Sequence, residues 1–139
     1  MPISFLEAPR GISRAAKEQM FQDVLAALDE AYRLDDNRIY LREYSAESVG
    51  QNVAQNGSEE AESPRIIIFI EGPPLRKLEV KRSMVEKIYA ALARGYEGLT
   101  DLSKMAIFIN EYPIHNAAFG GRLQSENPDD AEALMSLEE

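Results

Sequence analysis

The chain repeats itself. Displaced so that Phe5 falls on Phe69, Phe5-Leu6-Glu7-Ala8-Pro9 overlies Phe69-Ile70-Glu71-Gly72-Pro73, Lys17 overlies Lys81 and Met20 overlies Met84. Such self-similarity constrains a fold strongly, because each unit must be one supersecondary element whose apolar face needs its copy for cover. The stripe Phe21, Val24, Leu25, Leu28 and Tyr32 recurs as Val85, Ile88, Tyr89, Leu92 and Tyr96. Its i, i+3, i+4, i+7, i+11 spacing is that of a one-sided amphipathic helix. With a slightly larger displacement, Ile39-Tyr40-Leu41-Arg42-Glu43-Tyr44 overlies Ile107-Phe108-Ile109-Asn110-Glu111-Tyr112.

Each unit therefore reads strand, helix, strand. The pattern predicts strands over 2–8, 38–45, 65–71 and 105–112, and helices over 13–34 and 77–96. The solid apolar run Ile66-Ile67-Ile68-Phe69-Ile70 suggests a strand covered on both faces. Gly95 and Gly98 mark the end of the second helix, and Pro113 stops the fourth strand. A strand-helix-strand unit makes its two strands parallel through a right-handed crossover. Two units then give an α/β domain in two α+β layers: a four-stranded sheet with both helices on one face. Nothing in the chain remains to cover the other face, so other subunits are expected there. The whole chain, 1–139, reads as a single domain. Repeat one spans 2–45 and repeat two 65–123. Between them, 46–64 reads as a polar, mobile loop with Asn56-Gly57 as a turn signal, either a linker or a flap over a site. The tail, 124–139, is acidic, and Asn127-Pro128-Asp129-Asp130 looks like the start of a short helix over 131–137. Its Leu134, Met135 and Leu137 are expected to dock on a neighbour.

Composition narrows the function classes. The 139 residues carry a formal charge of −9, which argues against a non-specific nucleic-acid binder. No run of about 18 apolar residues and no signal-peptide pattern is present, so neither a membrane partner nor export is expected. With no Cys there is neither a disulfide framework nor thiolate chemistry, which fits a cytoplasmic protein.

One residue can do chemistry by its position. Pro2 directly follows Met1 and opens the first strand. Removal of Met1 leaves a secondary amine there. An α-amino group has a pKa near ~8, and burial or a nearby cation lowers it. A neutral amine at pH 7 is a general base or nucleophile. The lone His115, without a cluster of other ligands, reads as a surface loop residue and not a metal site.

A proline after the initiator Met, a tandem βαβ repeat and Phe119-Gly120-Gly121 near the C-terminus together resemble the tautomerase superfamily. The resemblance is to its long members, where two units like 4-oxalocrotonate tautomerase (4-OT) are fused, as in malonate semialdehyde decarboxylase and cis-3-chloroacrylic acid dehalogenase. It implies a homotrimer with sheets facing inward, a catalytic N-terminal proline, arginines that hold a small 2-oxo or enol carboxylate, and no metal or cofactor. Matched residue by residue, it makes Pro2 and Arg76 catalytic, and Arg38, Arg10, Asn37 and Phe119 substrate-binding. Departures narrow the chemistry. Asn37 stands where the decarboxylase has its aspartate, Tyr32 where the dehalogenase has a histidine, and Ala118-Phe119 where it has a water-activating glutamate. Ile12, between Arg10 and Arg14, replaces the first-loop arginine of 4-OT. Water activation needs a carboxylate, which an amide cannot replace. Proton transfer between carbon and enol oxygen needs only a base and a cation for the developing charge. Tautomerisation is thus the expected reaction, with decarboxylation, hydration, dehalogenation or simple ligand binding on the same scaffold as alternatives.

Overall fold

A computed structural model describes residues 2–51 and 63–130. The main elements are β1 (Ile3–Pro9), α1 (Arg14–Tyr32), β2 (Arg38–Tyr44), β3 (Ile67–Gly72), α2 (Leu78–Gly95) and β4 (Ala106–Glu111). They agree with the pattern reading to within two residues at each end. A two-residue hairpin follows, β5 (Ala118–Phe119) with β6 (Arg122–Leu123). The predicted turn at Asn56-Gly57 and the helix over 131–137 lie outside the described residues.

Local chemistry sets the helix ends. Ser13 caps α1 by accepting from the Ala16 N–H at 3.2 Å, which satisfies one of the orphan donors of the first turn. Arg33 closes α1 in the left-handed region, φ 55°, and its N–H returns to Asp29 O.

The sheet order is β2-β1-β3-β4. β1 pairs parallel with β2, β3 pairs parallel with β4, and the two units join through the antiparallel β1–β3 pair. Each crossover helix returns its chain to the sheet, as a parallel pair requires. Alternation along the strands decides what each face carries. Leu6, Ala8, Ile68 and Ile70 face the helices and are fully buried with Val24, Leu28, Tyr32, Ile88, Leu92 and Tyr96. Ile66 is buried as well, but Ile67 and Phe69 are only half-buried, because the face they share has no cover among the described residues.

That open face carries three rows of side chains running across the strands. In the middle row Tyr40 stacks on Phe5 at 5.8 Å between ring centroids, and Phe69 stacks on Phe108 at 5.5 Å. Phe5 and Phe69 are register partners, so the two pairs lie side by side. Tyr40 and Phe108 are about half exposed, at 54% and 50%. No helix among the described residues is long and apolar enough to cross a membrane.

Candidate active site

Pro2 is buried at the head of β1, an inner strand of the sheet. Its carbonyl accepts from the Arg38 N–H at 3.4 Å, which ties it to the start of β2. On its other side β3 ends, since Ile3 is the register partner of Glu71. Gly72 follows Glu71, and its carbonyl accepts from the Tyr112 N–H at 3.0 Å, which brings the end of β4 to the same place. Four strand ends thus converge here: the starts of β1 and β2 and the ends of β3 and β4. The repeat generates a matching meeting point at the opposite end of the sheet. There the Ile66 carbonyl accepts from the Ala106 N–H at 3.0 Å, as Pro2 does from Arg38. Ile66 follows Arg65, so its nitrogen is a backbone amide with no counterpart to the position of Pro2 directly after Met1.

The sequence candidates distribute unevenly. Arg38 opens β2 beside Pro2, on the open face, with its guanidinium 3.7 Å from Asp36. Asn37 precedes it and is held by its own side chain: its Nδ2 donates to Asp29 and to Leu34 O, the latter at 2.7 Å. Its side-chain oxygen is buried without a hydrogen-bond partner. Arg76 lies in the connection from β3 to α2, at the Pro2 end but in the helix layer. There it lines a cavity of about 160 Å³ with Glu30, Arg33 and Lys77. Arg10 is at the far end of β1, where its N–H bonds Tyr44 O at 3.1 Å. Seven residues of strand lie between it and Pro2, which puts the two roughly 26 Å apart. Within one chain Arg10 and Pro2 do not meet. Phe119 is half-buried on β5, in a hairpin whose turn, Gly120-Gly121, takes positive φ at both residues. That hairpin packs on the 3-10 turns at 114–116 and 124–126, beyond the end of β4.

The structure also places residues that the sequence reading did not assign to the site. Glu71 stands on the open face one position from the register of Pro2, and its Oε1 accepts from Asn110 Nδ2 at 2.8 Å. Tyr32 lies beneath Gly72. A Cβ at Gly72 would meet the Tyr32 ring and hydroxyl at 2.9 Å, so only glycine admits this packing. The Tyr32 hydroxyl is buried without a partner. Burial, then the charges of Glu111, Tyr112 and Glu71, keep it protonated far above its usual range. Tyr112 is pushed up to about 12, mainly by burial, with Asp130 and Glu71 adding to it. Gln124 is buried, and neither polar atom of its amide has a partner. Glu71 was visible in the repeat, in the match of Phe5-Leu6-Glu7 to Phe69-Ile70-Glu71, but its nearness to Pro2 depends on the antiparallel β1–β3 register.

Among the described residues no group of three or more His, Cys, Asp or Glu side chains is placed to hold a metal ion. What the site can do chemically follows from a proline at the head of an inner strand, an arginine on one side and a carboxylate on the other.

No protein-family profile matches the sequence, and no curated protein matches it. Solved structures do match its fold. A wild-type fused 4-OT, an asymmetric trimer, superposes with a TM-score of 0.71 at 18% identity, covering 87% of this chain and 94% of that one. A native fused 4-OT gives 0.70 at 19% identity over the same shares. The FG41 malonate semialdehyde decarboxylase inhibited by 3-bromopropiolate gives 0.63 at 22% identity, covering 85% of this chain and 88% of that one. With two βαβ units joined antiparallel and a proline heading an inner strand, the chain has the fold of the tautomerase superfamily in its fused, two-unit form.

Proposed function

We propose that the protein is a cofactor-independent tautomerase of small 2-oxo or enol carboxylates, with the Pro2 amine, freed by removal of Met1, as its base. The observation that carries this reading is the placement of Pro2: buried at the head of an inner strand, directly after Met1, with its carbonyl bonded to the Arg38 N–H. Burial disfavours the ammonium form and Arg38 adds to that effect, whereas Glu71 opposes it. In the proposed reaction the neutral amine takes the proton from the enol hydroxyl, leaving an enolate. The ammonium so formed returns the proton to carbon, giving the keto acid and the free amine. Arg38 holds the substrate carboxylate, and Arg76 supports the negative charge from the β3–α2 connection. Arg10, remote in its own chain, reaches a site only from a neighbouring copy, so this reading includes a homotrimer assembled through the open sheet face. The similar fused 4-OT structures are themselves trimers.

The test is an intact mass measurement joined to a ketonisation assay. The mature protein should lack Met1 and should ketonise phenylenolpyruvate. Pro2→Ala should lower kcat at least about a hundredfold, the lower end of what a positioned general base contributes. Retention of Met1, or full activity in Pro2→Ala, overturns the reading.

A further inference from the structure

The two ends of the open face are built to one plan, and they differ in a single arrangement of charge. Away from Pro2, the row across the strands is Arg42, Glu7, Ile67 and Ala106. Arg42 and Glu7 are on adjacent strands and form a closed pair, Nε to Oε1 at 3.0 Å, and the Tyr44 hydroxyl donates to the second carboxylate oxygen. Beside Pro2, the row is Arg38, Ile3, Glu71 and Asn110. Here the repeat has exchanged positions. Asn110 takes the place of Arg42, and the arginine sits two strands from the carboxylate with Ile3 between. Strands about 4.8 Å apart put Arg38 and Glu71 roughly 9–10 Å from each other across the sheet. Among the described residues, Glu71 is compensated by an amide at 2.8 Å and not by a cation. The end that holds the amine thus presents a cation and an anion held apart, where the other end has joined them.

We infer that Glu71 is a specificity residue of the Pro2 site: it selects small oxo acids with one carboxylate and a hydrogen-bond donor at the opposite end, and rejects dicarboxylates. This rests on the tautomerase reading for the site's location. The substrate carboxylate lies toward Arg38, and the far end of the molecule then meets Glu71. A hydroxyl or ammonium there finds an acceptor. A second carboxylate finds a like charge that no cation of the row neutralises, and such repulsion is how a site discriminates against the wrong ligand.

The experiment compares three six-carbon ligands that differ only at carbon 6: 2-oxohexanoate, 6-hydroxy-2-oxohexanoate and 2-oxohexanedioate. Their Kd values are measured by calorimetry on the full chain, on Glu71→Gln and on Glu7→Gln. The wild type should bind the hydroxyl ligand most tightly and the dicarboxylate at least about tenfold more weakly than 2-oxohexanoate. Glu71→Gln should remove most of that tenfold gap, while Glu7→Gln, at the closed pair, should leave the order unchanged. The inference is overturned if the dicarboxylate binds as well as the monocarboxylate, if the gap survives in Glu71→Gln, or if none of the three binds at millimolar concentration. Binding by Pro2→Ala in the same order, without turnover, separates this result from the identity of the base.

Discussion

Tyr32 and Tyr96 occupy equivalent turns of the two helices, fully buried, with hydroxyls that find no partner. Each faces the opposite unit: Tyr32 senses Glu111 and Tyr96 senses Glu43. An unpaired buried hydroxyl costs stability, so removing it should do little harm at neutral pH. Tyr32→Phe and Tyr96→Phe should each stay within about 1 kcal/mol of the wild type in urea unfolding at pH 7. In alkali the sign is definite. Burial raises the folded-state pKa of both phenols above the unfolded value of 10.0, so the unfolded chain loses its protons first. Stability is therefore complete below about pH 10 and falls as pH rises past it, toward the folded pKa. Tm followed by circular dichroism should drop between pH 10 and pH 11, and less steeply in the double Tyr→Phe protein. An equal slope in both proteins would place the alkaline loss elsewhere.

At the scale of elements, each helix is tied to the second strand of its own unit by one ion pair. Lys17 of α1 meets Glu43 of β2 at 2.8 Å, and Lys81 of α2 meets Glu111 of β4 at 2.7 Å. The pairs are repeat-related, but only Glu111 also takes a loop in hand, accepting from the Leu75 N–H at 3.3 Å, one residue before Arg76. Partly exposed pairs of this kind contribute about 1 kcal/mol or less. Their loss should therefore appear in function more than in stability. Glu111→Gln should raise KM for a carboxylate substrate about threefold or more with kcat nearly kept, because the backbone that carries Arg76 is loosened. Glu43→Gln should leave KM unchanged, and steady-state kinetics on the two variants makes the comparison. Both glutamates were legible as recurring residues. That one of them holds the Leu75 backbone depends on which connection lies at that end of the sheet.

For the whole molecule, the proposed assembly rests on the open face. Its middle row of Tyr40, Phe5, Phe69 and Phe108 is apolar, flat and stacked, with half of the outer rings in solvent. Exposed aromatic area of this kind marks an interface. Placing a charge in it, as in Phe108→Glu, should dissociate the proposed trimer at micromolar concentration, read by sedimentation velocity. A trimer that persists in this variant would move the interface to another surface. The far-ultraviolet spectrum should not change, because Phe108 contributes nothing to the buried layer between sheet and helices.

The sequence by itself determined the two units, the parallel pairing inside each, the helical stripes and the residues of the core. All of these follow from periodicity, which is local and survives any arrangement of the units. It also pointed to Pro2, because the residue directly after Met1 gains a secondary amine if Met1 is removed. The tertiary structure alone decided which side chains accompany Pro2. The antiparallel β1–β3 joint sends Arg10 to the far end, brings Glu71 and Gly72 beside Pro2, and exchanges a closed Arg42–Glu7 pair for the separated Arg38 and Glu71. Register between distant strands is set by how the two units pack, and no spacing within either unit encodes it.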